Sequence, residues 1–139
     1  MQTPYWEHFE HQADVGIRGY GNSMAEAFTQ AAYAMTAVVS ELGLIQPQQM
    51  IIIECEEEDP ELLLVDWLNA LIYQMATRKM LFSRFLVEQD NHRLKARAWG
   101  EAVDQQRHAP SVEIKGATYT ELSVREENGL WIAQCVVDV

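Results

Sequence analysis

Residues 13–43 decide the fold, and they read ADVGIRGYGNSMAEAFTQAAYAMTAVVSELG. Ala13, Val15 and Ile17 alternate with polar or small residues, which is typical of a strand with one face toward the core. The quartet Ser23-Met24-Ala25-Glu26 is a capping box, because the serine hydroxyl and the glutamate carboxylate can each satisfy a free N–H of the first helical turn. Behind it, apolar residues recur at helical spacing and predict one buried helix face: Met24, Ala27, Phe28, Ala31, Met35 and Val38.

A second helix is predicted from Asp59-Pro60 onward, because a capping carboxylate followed by proline suits a first helical turn. Asp66 and Asn69 share a face of this helix at i and i+3, and a solvated polar stripe is the simplest interpretation of that pair. The apolar stripe consists of Leu64, Trp67, Leu68, Leu71, Ile72 and Met75.

The remaining pattern is that of β-strands joined by tight turns, with hairpins predicted at Asp90-Asn91 and Asn128-Gly129. The order β-α-β-α followed by antiparallel strands predicts an α+β fold, with two helices packed on one face of a mixed, largely antiparallel β-sheet. We expect a single domain over residues 1–139, in which the longest irregular segment, Gly100 to Gly116, is a candidate functional loop. The later strand candidates are Gln49 to Glu56, Leu81 to Gln89, Arg93 to Trp99, Tyr119 to Glu126 and Leu130 to Val139.

Charge is the most informative bulk property, since 10 Lys and Arg stand against 21 Asp and Glu, for a formal net charge of -11. A field of that sign repels phosphate backbones, so we expect no autonomous nucleic-acid binding and favour a cation or a basic protein surface as the partner. The sequence shows neither a signal peptide nor an apolar run of membrane-spanning length, which predicts a cytoplasmic protein without membrane association. Cys55 and Cys135 lie in apolar runs and are expected to be buried free thiols, with a disulfide as the alternative.

Two aspartates are candidate metal ligands. Asp14 interrupts a strand pattern and is followed by Gly16, which permits a close approach of backbone or ligand. Asp138 ends a predicted core strand beside the terminal carboxylate of Val139, and two adjacent anions repel each other unless a cation or an arginine stands between them. Oxygen ligands of this kind suit a hard cation such as Ca²⁺ or Mg²⁺. A solvated sheet face for Asp14 and a frayed C-terminus for Asp138 are the alternatives, and spacing alone does not bring the two residues together.

Further polar candidates are His11, His108 and Lys115. His11 and Asp14 would point to opposite faces of a continuous strand, so joint coordination requires a bend between them. His108 lies in the irregular segment and is either partner-facing or solvated, whereas Lys115 either pairs with neighbouring acids or holds an anion of a partner. The sequence lacks HExxH, paired CxxC, G-x-S-x-G and Gly-rich phosphate-loop patterns, which argues against an enzyme.

Several short segments, in order over nearly the whole chain, match one known family. They are His11-Gln12-Ala13-Asp14-Val15-Gly16-Ile17-Arg18, Leu64-Val65-Asp66-Trp67-Leu68-Asn69, Gly100-Glu101, Asp104, Arg107-His108, Glu113-Ile114-Lys115, Thr118-Tyr119 and Asp138-Val139. The ordered set, including the terminal Asp-Val, resembles the archeases. Two departures are visible: Gln12 stands where threonine is usual, and Thr120 stands where a histidine often follows the Thr-Tyr pair.

The resemblance implies a divalent-cation site (Ca²⁺ or Mg²⁺/Mn²⁺) formed by Asp14, Asp138 and Val139. It also implies a partner, the GTP- and manganese-dependent RtcB-type RNA ligase of tRNA splicing and RNA repair, whose guanylylation and multiple turnover archeases promote. The protein would then be an activator without catalysis of its own. One alternative is a chaperone or specificity factor for an RNA-modification enzyme such as a tRNA methyltransferase. Another is a small metal-dependent hydrolase with His11 or His108 as its general base.

Overall fold

The computed structural model describes residues 3–139. Its helices are α1 (Met24–Val39), α2 (Pro60–Arg78) and the short α3 (Gln105–His108), with a 3₁₀ turn at Leu42–Leu44. Its strands are β1 (Tyr5–His11), β2 (Asp14–Gly21), β3 (Gln49–Glu56), β4 (Met80–Asp90), β5 (Arg93–Ala102), β6 (Gly116–Ala117), β7 (Ser123–Glu127) and β8 (Leu130–Asp138).

These strands form two sheets rather than one. The first has the order β1-β2-β8-β6, and β7 pairs with the same edge of β8 as β6 does, nearer the start of β8. The second has the order β3-β5-β4. All the pairings between described strands are antiparallel. The last strand of the chain therefore lies inside the first sheet, next to one of the earliest.

Helix α1 lies between the two sheets and packs against β1, β2 and β8 on one side and β4 on the other. Its approach to β2 depends on Gly19, because a Cβ there would lie 2.3 Å from both the Ala27 oxygen and the Ala31 nitrogen. The indole N–H of Trp67 donates to the Phe28 carbonyl at 3.1 Å and so joins α2 to α1. Eight α1 residues are buried: Ala27, Phe28, Ala31, Ala32, Ala34, Met35, Thr36 and Val39.

The α+β class and both long helices are confirmed, together with their N-terminal signals. Ser23 Oγ accepts from Glu26 N at 3.1 Å, Glu26 Oε1 accepts from Asn22 N at 2.8 Å, and Asp59 caps α2. The arrangement of strands differs from the expected single mixed sheet. A helix buried on both sides needs a sheet on each side of it, so α1 separates the strands into two antiparallel layers.

Strand β1 was not predicted, and several boundaries shift. The Asn128-Gly129 turn is confirmed, with both residues at positive φ (53° and 82°). Asp90 still belongs to β4, so that hairpin turns at Asn91-His92. The irregular segment is shorter than expected, because β5 continues to residue 102 and α3 follows. Among residues 3–139, none of the helices combines the length and apolar character that crossing a membrane requires.

Candidate metal centre at the end of the first sheet

The antiparallel pairing of β2 with β8 brings Asp14 to the C-terminal residues. Val15 stands opposite Val137, so Asp14 and Asp138 come next at the same end of the two strands. The backbone N–H of Val139 donates to Asp14 Oδ1 at 3.4 Å, although 125 residues separate the two in sequence. All three residues are partly exposed. The topology thus supplies the proximity that spacing alone could not.

Strand β6 holds Asp138 from the other side. Gly116 stands opposite Asp138, and the Lys115 N–H donates to the Asp138 carbonyl at 2.8 Å. The end of β8 is therefore paired along both edges and is not a frayed terminus.

The charge around these carboxylates is not balanced by basic side chains. Within the described part of the chain, neither Asp14 nor Asp138 takes part in an ion pair. Carboxylates at neighbouring strand ends without a basic partner repel each other, and an all-oxygen donor set of this kind suits a hard cation. Residues 3–139 contain no group of three or more His, Cys, Asp or Glu side chains placed to hold a metal. A cation here would need the terminal carboxylate, backbone oxygens or water to complete its shell.

His11 lies beside this centre because of a bend that the sequence did not reveal. β1 and β2 form a hairpin with Gln12 and Ala13 as the turn, and Gln12 adopts φ 53°. His11 and Asp14 are consequently direct cross-strand partners and project from the same face of the sheet. The bend required for joint action of the two side chains is present.

His108 is placed differently from both expectations, since it is 1% exposed and neither partner-facing nor solvated. Its Nδ1 accepts from the Asp104 N–H at 2.9 Å, and its Nε2 lies 2.9 Å from Glu101 Oε2. A ring nitrogen that accepts from a backbone N–H carries no proton, so His108 is neutral and donates from Nε2 to Glu101. An imidazole with both nitrogens engaged inside the protein has no role at the metal centre.

Glu101 is the hub of that buried cluster. Arg107 donates to its two carboxylate oxygens from Nη1 and Nη2, at 2.8 Å each, and Gln46 N donates at 2.7 Å. The Arg107 bonds and then the Gln46 bond lower the pKa of Glu101 to about 2. Ser40 Oγ donates to the His108 carbonyl at 2.8 Å and ties the cluster to the end of α1. These contacts fix the segment after β5, which is a structural role.

Lys115 is exposed, and its ammonium forms no hydrogen bond or ion pair with any of the residues that the structure describes. Its backbone, but not its ammonium, is bonded to Asp138, through the Lys115 N–H and the Asp138 carbonyl. Thr120, which replaces the family's frequent histidine, is exposed and serves through its backbone: its N–H donates to Thr118 Oγ1 at 3.2 Å.

Asn69 was wrongly assigned to a solvated stripe. It is partly buried, and its Oδ1 accepts from the Ala117 N–H at 2.9 Å. Its spacing from Asp66 carries no signal of this contact, because the partner is 48 residues away. The two cysteines are free, as expected, with Cys135 buried and Cys55 partly exposed.

Fold and site together define a class: a small acidic α+β protein whose first hairpin and last strand bring Asp14 and Asp138 to one end of the first sheet. Comparison with known proteins gives the family. Residues 6–139 match the model of the Archease protein family (MTH1598/TM1083). The chain belongs to the archease family.

Individual relatives cover almost the whole chain. The protein archease of Pyrococcus furiosus is 40% identical and that of Pyrococcus abyssi 37% identical, each over 96% of this chain and 98% of its own length. The solution structure of Methanobacterium thermoautotrophicum protein 1598 superimposes with a TM-score of 0.80 at 27% identity, covering 96% of this chain and 98% of that one. A Thermotoga maritima archease, described as a "possible chaperone", shares the fold with a TM-score of 0.63 at 20% identity over 100% of this chain and 98% of its own.

Proposed function

We propose that this archease family member activates an RtcB-type RNA ligase through a divalent cation bound by Asp14, Asp138 and Val139. The observation that carries the proposal is the contact between the Val139 N–H and Asp14 Oδ1, 3.4 Å, which brings the Asp14 carboxylate to the backbone of the residue that follows Asp138. Further support comes from the absence of any ion pair on Asp14 or Asp138 among the described residues. Such a cluster costs stability unless a cation neutralises it.

The activation would proceed by docking of the end of the first sheet, which carries Asp14 and Asp138, at the mouth of the ligase active site. Net charge of -11 favours encounter with a basic, phosphate-binding surface. Asp14 and Asp138 would hold the cation, which supplies charge neutralisation between protein and nucleotide when it is bound. The Lys115 ammonium would contact a phosphate of the nucleotide. Together, the cation and this lysine would help the ligase to form its guanylylated state in each round of turnover.

Guanylylation and multiple-turnover RNA joining by the cognate ligase test this, with and without the protein. We expect stimulation by the wild type and its loss with Asp14→Ala and Asp138→Ala. Glu58→Ala is the matched control, because it removes one exposed carboxylate before α2 and should leave stimulation intact. Full stimulation by the folded aspartate variants would refute the carboxylate mechanism, and no stimulation by the wild type would refute the ligase role.

A chaperone or specificity factor for an RNA-modification enzyme is the second candidate, and one observation favours it. The outer face of the second sheet exposes three apolar side chains, Met50 at 45%, Ile52 at 51% and Leu86 at 46%. Exposed apolar patches are a common mark of protein–protein contact. If the client enzyme binds on this face, Ile52→Asp should abolish the ability of this protein to keep the client soluble, whereas Asp14→Ala should not. The opposite pattern would reject this candidate.

The hydrolase alternative has less support. Of its two general-base candidates, His108 is buried and fully hydrogen-bonded, which leaves His11 alone. Phosphoester turnover by the purified protein, abolished by chelation and by His11→Ala, would be required to revive it.

A further inference from the structure

The side-chain amide of Asn69 closes the free edge of strand β6. Its Oδ1 accepts from the Ala117 N–H at 2.9 Å, and its Nδ2 donates to the Ala117 carbonyl at 3.5 Å. A carboxamide offers one acceptor beside one donor, so it pairs with a residue as a neighbouring strand would. β6 is only two residues long and pairs with β8 on its other edge, so this amide supplies the contact that a further strand would otherwise make.

The same short strand holds Asp138. Gly116 stands opposite Asp138 in the pairing, and the preceding Lys115 N–H donates to the Asp138 carbonyl at 2.8 Å. Two sets of hydrogen bonds, joined by the backbone of residues 115–117, therefore connect Asn69 on α2 to Asp138 at the end of β8.

Helix α2 is a firm base for this connection. Its neighbours Trp67 and Leu68 are fully buried, and Trp67 is bonded to the α1 backbone. Asn69 thus projects from an element that is fixed to the core, while residues 109–115 before β6 lack regular structure. The position of β6 is consequently set by α2 as much as by β8.

We propose that Asn69 is a positioning residue, which holds residues 115–117 against Asp138 and thereby sets the cation affinity of the site. This inference rests on the cation site proposed above. Groups that orient metal ligands without touching the metal typically change metal affinity by about 10- to 100-fold when removed. Asn69 would act in that way, through two backbone segments rather than through a direct bond to a ligand.

The test uses Asn69→Ala and Asn69→Leu in the full chain. Alanine and leucine are both better helix formers than asparagine, so neither weakens α2 itself, and leucine also keeps the branch at Cγ without the polar atoms and without loss of volume. Two quantities are measured at a temperature where every variant is folded: hydrogen exchange of the Lys115 amide without metal, and the Ca²⁺ dissociation constant by calorimetry. The Lys115 amide is informative because Asn69 does not touch it. Tyr73→Ala is the matched control, as Tyr73 lies one turn further along α2 and is 63% exposed.

We expect faster Lys115 exchange and about tenfold weaker Ca²⁺ binding in both Asn69 variants, with Tyr73→Ala like the wild type. Wild-type exchange and affinity in both variants would overturn the inference while leaving the cation site intact. Weaker binding in the alanine variant alone would also overturn it, because the cause would then be lost volume. A wild-type protein that binds no Ca²⁺ would refute the cation site and this inference together.

Discussion

Glu101 and Arg107 form a two-pronged ion pair, in which both guanidinium Nη atoms lie 2.8 Å from the carboxylate oxygens. The Glu101 side chain is 8% exposed while that of Arg107 is 43% exposed, so the pair closes the surface over a buried acid. With His108 and Gln46 as further donors, Glu101 connects the end of β5 to α3 and to the segment after the 3₁₀ turn.

This cluster predicts an acid-sensitive contribution to stability. The folded pKa of Glu101, about 2, lies below the ordinary value of 4.5. The unfolded chain therefore binds more protons between those two pH values, and unfolding becomes easier as pH falls. The contribution is fully present above about pH 5 and is lost by about pH 2. We expect Glu101→Gln to lower the urea midpoint strongly at pH 7 and progressively less below pH 5. Equal effects at pH 7 and at about pH 3 would contradict this.

Gly19 predicts a packing defect when it is enlarged. A Cβ at Gly19 would meet backbone atoms of Ala27 and Ala31 at 2.3 Å, and backbone cannot rotate away as a side chain can. We expect Gly19→Ala to cost about 1–3 kcal/mol of the free energy of unfolding, measured by chemical denaturation. Gly43→Ala is the control, because nothing lies within 4 Å of its Cβ position, and it should be neutral or slightly stabilising. A neutral Gly19→Ala would mean that α1 can shift away from β2.

If the carboxylates bind a cation, that cation must stabilise the folded state. Saturating Ca²⁺ at about 100 times its dissociation constant should add about 2.7 kcal/mol to the free energy of unfolding. Asp14→Asn keeps the side-chain shape and removes the charge, so it should abolish this gain and also raise the stability of the metal-free protein. Calorimetric unfolding with Ca²⁺ and with a chelator measures both effects. A Ca²⁺ response that persists in Asp14→Asn would locate the cation elsewhere.

Docking by charge predicts that complex formation with the ligase depends on salt. A chain with net charge -11 should associate faster at about 50 mM than at about 500 mM salt, because screening shortens the reach of the field. The association rate from stopped-flow mixing should fall at least about tenfold, with a smaller change in the dissociation rate. Rates that ignore salt would point to apolar docking instead, for example on the face that bears Ile52.

Local signals were readable from the sequence, whereas long-range placement was not. The Ser23 capping box and the Asn128-Gly129 turn depend on neighbouring residues, and both are present as predicted. β1 escaped prediction because aromatic and charged residues mix along it and its turn, Gln12-Ala13, lacks the usual Asn-Gly chemistry.

The candidate site shows the same division. Asp14 and Asp138 stood out by residue type, but only the pairing of β2 with β8 makes them neighbours. His108 looked like a loop residue because nothing in its local sequence reveals that Glu101 and Asp104 enclose it. Asn69 looked solvated because its partner lies on a two-residue strand that has no pattern of its own.

The place of β8 inside the first sheet has a consequence for synthesis of the chain. β1 and β2 leave the ribosome early, yet the inner edge of β2 pairs only with residues 131–137. At roughly 5–20 residues per second, that edge stays open for on the order of ten seconds. During this interval β2 presents unpaired backbone groups to other nascent chains. The charge of Asp14 at the start of β2 and the net acidity of the chain then oppose misassembly before the strand has acquired its partner.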